Sequence, residues 1–588
     1  MTDLKWWQKA VFYQIYPRSL ADGNGDGIGD LRGMVERLDY LQDLGIDAVW
    51  LSPHFPSPQF DCGYDIADYT DVAPEYGTLK DFKEFLDGAH KRNIRVILDL
   101  VLNHTSDQHA WFIESKSGRD PSAKRDWYIW RDGKNNGPPN NWYSTFGGSA
   151  WEFDPATGQY YYHFFFKQQP DLNWRNPEVR QAMWNAVRFW LDLGVDGFRL
   201  DAIGTIFEDP ALPDHPVDAT LTELRKALLV SGDPSEKKQL GKLWKTMFQY
   251  QVEQPGMHEL MQELRAVLDE YPDRVLVGEN DEIAYHGNGH NELHMVFNFP
   301  LMRTQRLTPG WICANQKQRL AELAAVSPDA WPCNTLGNHD SPRVKSRYGD
   351  GQHDDELARL HLALMLTLRG TPFLYNGEEI GMTDLMLDDM AQFKDLLGVW
   401  LYDASIQEMG QSPAEALEHA AELTRDKCRT PTQWANAPNG GFSPAGVQTW
   451  LPVNPNYADG VNVADQQNDP DSLLNFYRRM LRLRRQTPAL IAGDYTPLHD
   501  GAEDYVAFLR READSSTGPG QTCLVVLNLS DRSHTLSLEV KPPKARRLFS
   551  SSQRAHDTPL KGVPGTDDVS HLVIQPFEIY IGELLSTS

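Results

Sequence analysis

Three carboxylates in this sequence each lie just past a predicted strand. Asp201 ends the segment GFRLD, Glu279 ends VLVGE, and Asp340 ends GNHD. Hydrolysis of a glycosidic bond needs two carboxyl groups, one ionised to attack the anomeric carbon and one protonated to assist the departing oxygen. These residue types at strand ends therefore predict glycoside hydrolysis.

The neighbours of the carboxylates suggest how the two roles are divided. Arg199 lies two residues before Asp201, so both side chains point to the same side of a strand, and its charge would keep Asp201 ionised as a nucleophile. Glu279 follows an apolar run, where desolvation favours the protonated form that an acid needs. Strand-end capping or a surface ion pair would explain any one of these carboxylates, but three in one pattern favour a shared site.

Eight apolar runs could position these side chains. The runs cover residues 11–16, 47–51, 95–101, 197–200, 275–277, 295–299, 334–336 and 372–375, and amphipathic stretches at 79–92, 179–193 and 257–270 lie between them. Continuous apolar runs are typical of strands buried on both faces, and their alternation with helices indicates parallel βα units. Eight such units predict the α/β class and a (β/α)8 TIM barrel, which builds its active site at the C-terminal strand ends.

The 588 residues exceed the roughly 250 that a barrel needs, so further domains are expected. We predict a catalytic barrel at 1–102 and 176–489 and an inserted B subdomain at 103–175, after strand three. An extended loop or subdomain is predicted at 384–471, after strand eight, and an antiparallel β-sandwich domain at 490–588.

Composition limits the partners. There are 56 Lys and Arg against 82 Asp and Glu, a formal charge of −26, and such a field repels phosphate backbones and anionic lipids. We expect a small neutral oligosaccharide as the partner, and neither nucleic acid nor membrane. The N-terminus has no signal-peptide pattern, and the five cysteines are scattered without a CxxC pair, which favours a cytoplasmic protein without disulfides or a zinc site.

Five segments of the chain match a known family. DLVLNH at 99–104, GFRLDA, VGEN, GNHD and GTPFLYNGEE at 370–379 resemble conserved regions of the α-amylase superfamily, glycoside hydrolase family 13. The resemblance covers nearly the whole chain. It implies a retaining enzyme with Asp201 as nucleophile, Glu279 as acid/base and Asp340 as a third carboxylate that grips sugar hydroxyls.

The same resemblance implies roles in binding the substrate. Arg199 would support the nucleophile, His104 and His339 would bond glucose hydroxyls, and Phe165 would lie against the sugar. No organic cofactor is implied.

A marker segment narrows the branch. QPDLN at 169–173 resembles the oligo-1,6-glucosidase branch, in which Tyr64 and Asp65 of the GYD segment would form the pocket wall. Arg425 would pair with Asp65 and close the pocket behind one non-reducing glucose, which gives exo action. Ala202, directly after the nucleophile, favours α-1,4 over α-1,6 bonds because a small residue there leaves room beside the leaving sugar.

One loop has the oxygen-ligand spacing of a calcium site, with Gly at its sixth position. Its candidate ligands are Asp22, Asn24, Asp26, the backbone oxygen of Ile28, and Asp30. The twelfth position is Gly33, so the loop is no EF-hand, and a plain Asp/Gly turn is the alternative. Members of the branch carry Ca²⁺ or Mg²⁺ at the matching loop, which implies a structural ion.

Together these residues predict an exo-acting retaining α-glucosidase for α-1,4 bonds in maltose-like substrates, with transglucosylation left open. The alternatives in the same chemistry are an oligo-1,6-glucosidase, a sucrose hydrolase and an isomerase of the trehalose synthase or isomaltulose synthase type. An endo-acting amylase and a catalytically inactive binding protein of the same fold are less favoured, because the exo-type wall and all three carboxylates are present. The chain is expected to be a monomer or a homodimer.

Overall fold

The computed structural model describes residues 4–119, 124–514, 520–541, 543–552 and 565–585; residues 1–3, part of the N-terminal stretch considered above, lie outside this range. Its central element is a ring of eight strands. They are β1 Phe12–Ile15, β2 Ala48–Leu51, β3 Arg95–Val101, β4 Gly197–Asp201, β5 Val275–Gly278, β6 Met295–Val296, β7 Cys333–Thr335 and β8 Thr371–Tyr375.

The strands are parallel throughout and follow the order β7-β8-β1-β2-β3-β4-β5-β6, and a parallel bridge between Phe297 and Cys333 joins the two ends. The predicted barrel is thereby confirmed. Inside the barrel, the ring of Phe373 lies 4.4 Å from that of Phe12 and 5.0 Å from that of Phe297. Side chains fill the interior, so the chemistry is confined to the end of the barrel.

β6 is shorter than the apolar run at 295–299 suggests. The regular strand ends at Val296, Phe297 forms only an isolated bridge to β7, and a short helix, Phe299–Arg303, begins with proline in its first turn. Proline cannot donate to a strand ladder but fits the first turn of a helix, so the run divides between the two structures.

Helices cover the outside of the barrel. They are Leu31–Glu36, Leu38–Leu44, Leu79–Lys91, Pro177–Leu193, Met257–Leu268, Pro309–Val326, Asp354–Thr367 and Leu473–Gln486. Local signals set their ends: Thr78 caps Leu79–Lys91 through the amide of Asp81, and Gly194, at φ 105°, ends Pro177–Leu193.

Two long segments lie over the C-terminal end of the barrel. The first follows β3 and contains the helix Ala110–Lys116 and a three-stranded sheet of Trp130–Arg131, Trp151–Asp154 and Gln159–Tyr162. The second follows β8 and contains the helices Leu396–Gln407 and Pro413–Leu423.

The two long segments touch at Gly147 and Trp400. A Cβ on Gly147 would lie 2.3 Å from the Trp400 ring, so only glycine permits this contact.

The C-terminal part is a six-stranded antiparallel sheet with an additional pair of strands. In sheet order the strands are Asp494–Leu498, Tyr505–Glu512, Gln521–Asn528, Ile579–Leu584, Lys544–Ser550 and Thr566–Asp568, and the pair is His534–Leu536 with Leu572–Ile574. The buried Arg510, in the strand Tyr505–Glu512, joins this sheet to the barrel by donating to the carbonyl of Thr367.

Among the helices that the structure describes, none is long and apolar enough to cross a membrane. All five cysteines are buried and free.

Candidate active site

One guanidinium brings two of the predicted catalytic carboxylates together. Arg199, on β4, donates through Nη1 to Oδ1 of Asp201 at 2.7 Å, and its Nη2 lies 2.9 Å from Oε2 of Glu279. The Asp201 side chain is 11% exposed and that of Glu279 is 21% exposed. Double displacement needs two neighbouring carboxyl groups, and Arg199 holds these two close together at the end of the barrel.

The turn after Asp201 also orients the side chain of Glu279, the predicted acid/base. The backbone amide of Ala202 donates to Oε2 of Glu279 at 2.9 Å, and the amide of Glu279 donates to the carbonyl of Leu200 at 2.8 Å. Ala202 adopts a left-handed conformation, φ 41°, which is strained for a residue with a side chain. The strained turn aims the amide at Glu279.

The electrostatics differ from the expectation that Arg199 keeps Asp201 ionised. Arg199 is shared, since Nη1 also donates to Oδ1 of Asp99 at 2.8 Å. Burial and the nearby Glu279 carboxylate raise the pKa of Asp201 well above its usual range, and Arg199 opposes this only in part. Burial likewise raises the pKa of Asp99 to about 6. Arg199 therefore divides its charge among Asp99, Asp201 and Glu279 and does not stabilise the charge of Asp201 alone.

Asp340, the third predicted carboxylate, is held by arginines. Nη2 of Arg429 lies 2.5 Å from its Oδ1, and Nη1 of Arg425 lies 3.6 Å from the same atom. Burial disfavours the charge of Asp340, but its positively charged surroundings outweigh burial and hold its pKa below the usual range. Asp340 is therefore ionised, as its predicted role of accepting bonds from sugar hydroxyls would need. Sequence reasoning missed Arg429, although it lies only four residues after Arg425.

His339 and Tyr64 belong to a buried chain of polar contacts. Nε2 of His339 lies 2.6 Å from the Tyr64 hydroxyl, which donates to Oδ2 of Asp99 at 3.1 Å, and Nδ1 of His339 lies 2.7 Å from Nε2 of Gln14. Burial lowers the pKa of His339 well below its usual value, so the imidazole is neutral. The chain fixes the floor of the site and reaches Arg199 through Asp99.

The predicted pair of Asp65 and Arg425 is wrong. Nη2 of Arg425 donates instead to Oδ1 of Asp61 at 2.7 Å and to Oδ1 of Asp395 at 2.6 Å. The fully buried carboxylate of Asp65 accepts backbone amides of its own loop, from Phe60 at 2.9 Å and from Asp61 at 3.0 Å.

The local backbone geometry explains why Asp61, and not Asp65, pairs with Arg425. A tight turn folds the Asp65 carboxylate back as a cap and leaves Asp61 as the residue that reaches Arg425. Burial raises the pKa of Asp65 to about 7. Arg425 thus has an ion-pair partner as predicted, with Asp61 in the place assigned to Asp65.

His104 and Phe165 lie side by side on the wall formed by the segment after β3. Their ring centroids are 5.2 Å apart, and Phe165 is only half-buried. Nε2 of His104 lies 2.9 Å from the side-chain nitrogen of Gln169, which also donates to Oδ2 of Asp61 at 3.0 Å. The first residue of the QPDLN segment thus connects His104 to the Asp61–Arg425 wall.

The predicted metal loop folds as a series of turns. Oδ1 of Asp22 accepts the amide of Gly25 at 2.6 Å, and Oδ1 of Asp26 accepts that of Ile28 at 2.9 Å. Asp30 caps the next helix through the amide of Gly33 at 2.6 Å. Within the described ranges, no three His, Cys, Asp or Glu residues are grouped so that they could hold a metal ion.

The donors in this loop are nevertheless the hard oxygens that Ca²⁺ and Mg²⁺ prefer. The side-chain amide of Asn24 donates to Oδ2 of Asp26 at 3.1 Å, so these two candidate ligands are adjacent. The residues fit such an ion if the Asp22 and Asp26 side chains turn from the backbone amides.

Comparison with known proteins places this geometry in a family. A family model described as the alpha-amylase catalytic domain matches residues 14–493. The oligo-1,6-glucosidase of Parageobacillus thermoglucosidasius is 43% identical over 505 residues, which cover 83% of this chain and 85% of that protein. A probable alpha-glucosidase of Rhizobium meliloti (strain 1021) is 41% identical over 553 residues, 92% of each.

Solved structures agree with these matches. The trehalulose synthase from Pseudomonas mesoacidophila MX-45 superposes with a TM-score of 0.83 at 36% identity and covers 99% of both chains. The Bacillus licheniformis trehalose-6-phosphate hydrolase superposes with a TM-score of 0.83 at 34% identity, over 99% of this chain and 100% of its own. The chain therefore belongs to the alpha-amylase family of glycoside hydrolases, glycoside hydrolase family 13.

Proposed function

We propose that the protein is a retaining, exo-acting α-glucosidase that releases terminal α-1,4-linked glucose from maltose-like oligosaccharides. The observation that carries this proposal is the placement of Asp201 and Glu279 against one arginine, beside a wall closed by the ion pair of Asp61 and Arg425. A closed wall leaves room for one terminal sugar and excludes the continuing chain of a polymer.

The reaction is a double displacement. Asp201 attacks the anomeric carbon while Glu279 gives its proton to the glycosidic oxygen, which departs as the hydroxyl of the leaving sugar. A β-glucosyl ester on Asp201 results. Glu279, now a carboxylate, takes a proton from water or from a sugar hydroxyl, whose oxygen breaks the ester and restores the α configuration.

The linkage rests on Ala202, whose small side chain follows the nucleophile. The second candidate is action on α-1,6 bonds, because several relatives are named oligo-1,6-glucosidase. Sucrose hydrolysis or isomerisation is a further alternative, since structural relatives include a trehalulose synthase and an isomaltulose synthase.

Proton NMR of the protein with maltose, isomaltose, sucrose and trehalose in parallel separates these activities. We expect maltose to be consumed fastest and α-glucose to appear before mutarotation. Faster use of isomaltose would transfer the function to α-1,6 bonds, and rearranged disaccharides from sucrose would indicate an isomerase.

We further propose that Asp22, Asn24, Asp26, the carbonyl of Ile28 and Asp30 hold a structural Ca²⁺ or Mg²⁺. The loop touches the segment after β8: the Ser443 hydroxyl donates to Asp22 at 2.6 Å, and the amide of Trp450 donates to the carbonyl of Gly27 at 3.0 Å. An ion bound only by the folded state stabilises it, by about 2.7 kcal/mol at a hundred times Kd.

Millimolar Ca²⁺ or Mg²⁺ should therefore raise the melting temperature above that in EDTA, and Asp26→Ala should remove the difference. Equal melting temperatures of the unmodified protein in either ion and in EDTA would show that the loop is a plain turn.

We also propose the domain bounds, the cellular compartment and the oligomeric state. The barrel at 1–102 and 176–489 would carry the catalytic residues, while 103–175 and 384–471 shape the substrate site and 490–588 form a separate domain. Five buried free thiols favour a reducing compartment such as the cytoplasm. The protein would act as a monomer or a homodimer.

A further inference from the structure

Another carboxylate, that of Glu253, contacts the two loops that carry Asp201 and Glu279. Glu253 lies in the long connection that follows β4. Its Oε1 accepts the side-chain amide of Asn280 at 2.8 Å, and its Oε2 accepts the hydroxyl of Tyr285. Asn280 directly follows Glu279, so Glu253 holds the backbone just beyond the acid/base.

The same residue is anchored to the nucleophile loop. The backbone amide of Glu253 donates to the carbonyl of Gly204 at 2.7 Å, two residues beyond Ala202. Since the Ala202 amide donates to Glu279, the contacts form a closed circuit through the two catalytic loops. Glu253 lies in neither of these two loops but hydrogen-bonds to both of them.

Two features show that these contacts of Glu253 require unusual local geometry. Glu253 has φ 52°, in the left-handed region that disfavours residues with side chains. A Cβ on Gly204 would lie 2.2 Å from Oε1 of Glu253 and 3.0 Å from the side-chain nitrogen Nδ2 of Asn280, so only glycine makes room for the carboxylate. Strain of this kind concentrates at functional sites.

The Asn280 side chain is fixed in one orientation. Its Oδ1 accepts the amide of Glu282 at 2.7 Å, which directs its Nδ2 toward Glu253. Glu253 itself is exposed, so its carboxylate retains free acceptor capacity toward solvent. The Glu253 carboxylate and the Asn280 amide thus lie next to Glu279, the residue that would protonate the oxygen of the leaving sugar.

We propose that Glu253 is a specificity-determining and positioning residue for the sugar in the leaving-group and acceptor position, where the Glu253–Asn280 pair receives hydroxyls of that sugar. This inference rests on the proposed glucosidase function. It predicts that Glu253 matters for a sugar leaving group and much less for a leaving group without hydroxyls.

The test compares maltose with 4-nitrophenyl α-glucoside for the unmodified protein and for Glu253→Gln, which keeps the length but changes the acceptor. We expect kcat/KM for maltose to fall roughly 10- to 100-fold, mainly through KM, with a far smaller fall for the aryl glucoside. Tyr285→Phe, which loses one bond to Glu253, should shift the ratio in the same direction by less. Glu259→Gln, an exposed position in the helix Met257–Leu268, is the matched control and should leave both substrates unchanged.

The losses of kcat/KM on the two substrates test the inference. Equal losses on both substrates would assign Glu253 a purely structural role and overturn the inference, as would an unchanged ratio in Glu253→Gln. Inactivity of the unmodified protein on both substrates would overturn the proposed function, and the inference with it.

Discussion

Replacing Asp201 with alanine is expected to lower kcat/KM for maltose by about 10⁴-fold or more, because no covalent intermediate can form without the nucleophile. The protein should still fold. Arg199, the cation beside Asp201, keeps Asp99 at 2.8 Å and Glu279 at 2.9 Å, so no buried charge is left alone. Steady-state kinetics together with the melting curve would measure both effects.

Azide makes this result specific to the nucleophile. In the alanine variant a small anion can occupy the space of the carboxylate and attack the anomeric carbon once, which inverts the configuration. We expect β-glucosyl azide from 4-nitrophenyl α-glucoside, detected by NMR. Asp218→Ala, an exposed carboxylate in the same connection after β4, is the matched control and should retain full activity. An alanine variant that keeps its activity, or is not rescued by azide, would remove Asp201 from the nucleophile role.

Sequence patterns could predict the positions of the three candidate catalytic carboxylates, because the strand ends of a parallel barrel meet at one face. Eight apolar runs give the barrel, and Asp201 and Glu279 follow directly from two of them. The pairing of Arg199 with Asp201 also follows, because alternate residues of a strand share a side.

The pocket wall could not be predicted in the same way. Whether Asp61 or Asp65 reaches Arg425 depends on a turn that has no periodicity, and the partner lies 364 residues away in the chain. Nor could the sequence reveal that burial and the Glu279 carboxylate outweigh Arg199 and raise the pKa of Asp201. Glu253 carries no signal of its own, since its contacts arise only where three connections meet.

Glu279→Gln should lower kcat for maltose by about 10³-fold, because the amide cannot protonate the glycosidic oxygen. The 4-nitrophenolate of the aryl glucoside leaves without a proton, so formation of the glucosyl-enzyme from that substrate should suffer much less. The substitution keeps an oxygen that can accept the Ala202 amide, now at 2.9 Å from the carboxylate, so the geometry of the turn should persist.

The pH dependence distinguishes loss of an acid from general damage. In the unmodified enzyme, activity requires Asp201 ionised while Glu279 still holds its proton, which gives a bell-shaped profile. Because burial raises the pKa of Asp201, the acidic limb should lie above pH about 4, where an ordinary aspartate titrates.

In Glu279→Gln the alkaline limb should vanish, since glutamine has no proton to lose as the pH rises. The acidic limb should move to lower pH, because the substitution removes the Glu279 carboxylate that, together with burial, raises the pKa of Asp201. An alkaline limb that survives would assign the acid to another group. Asp340 could not be that group, since its positively charged surroundings hold its pKa below the usual range and keep it ionised wherever the enzyme is active.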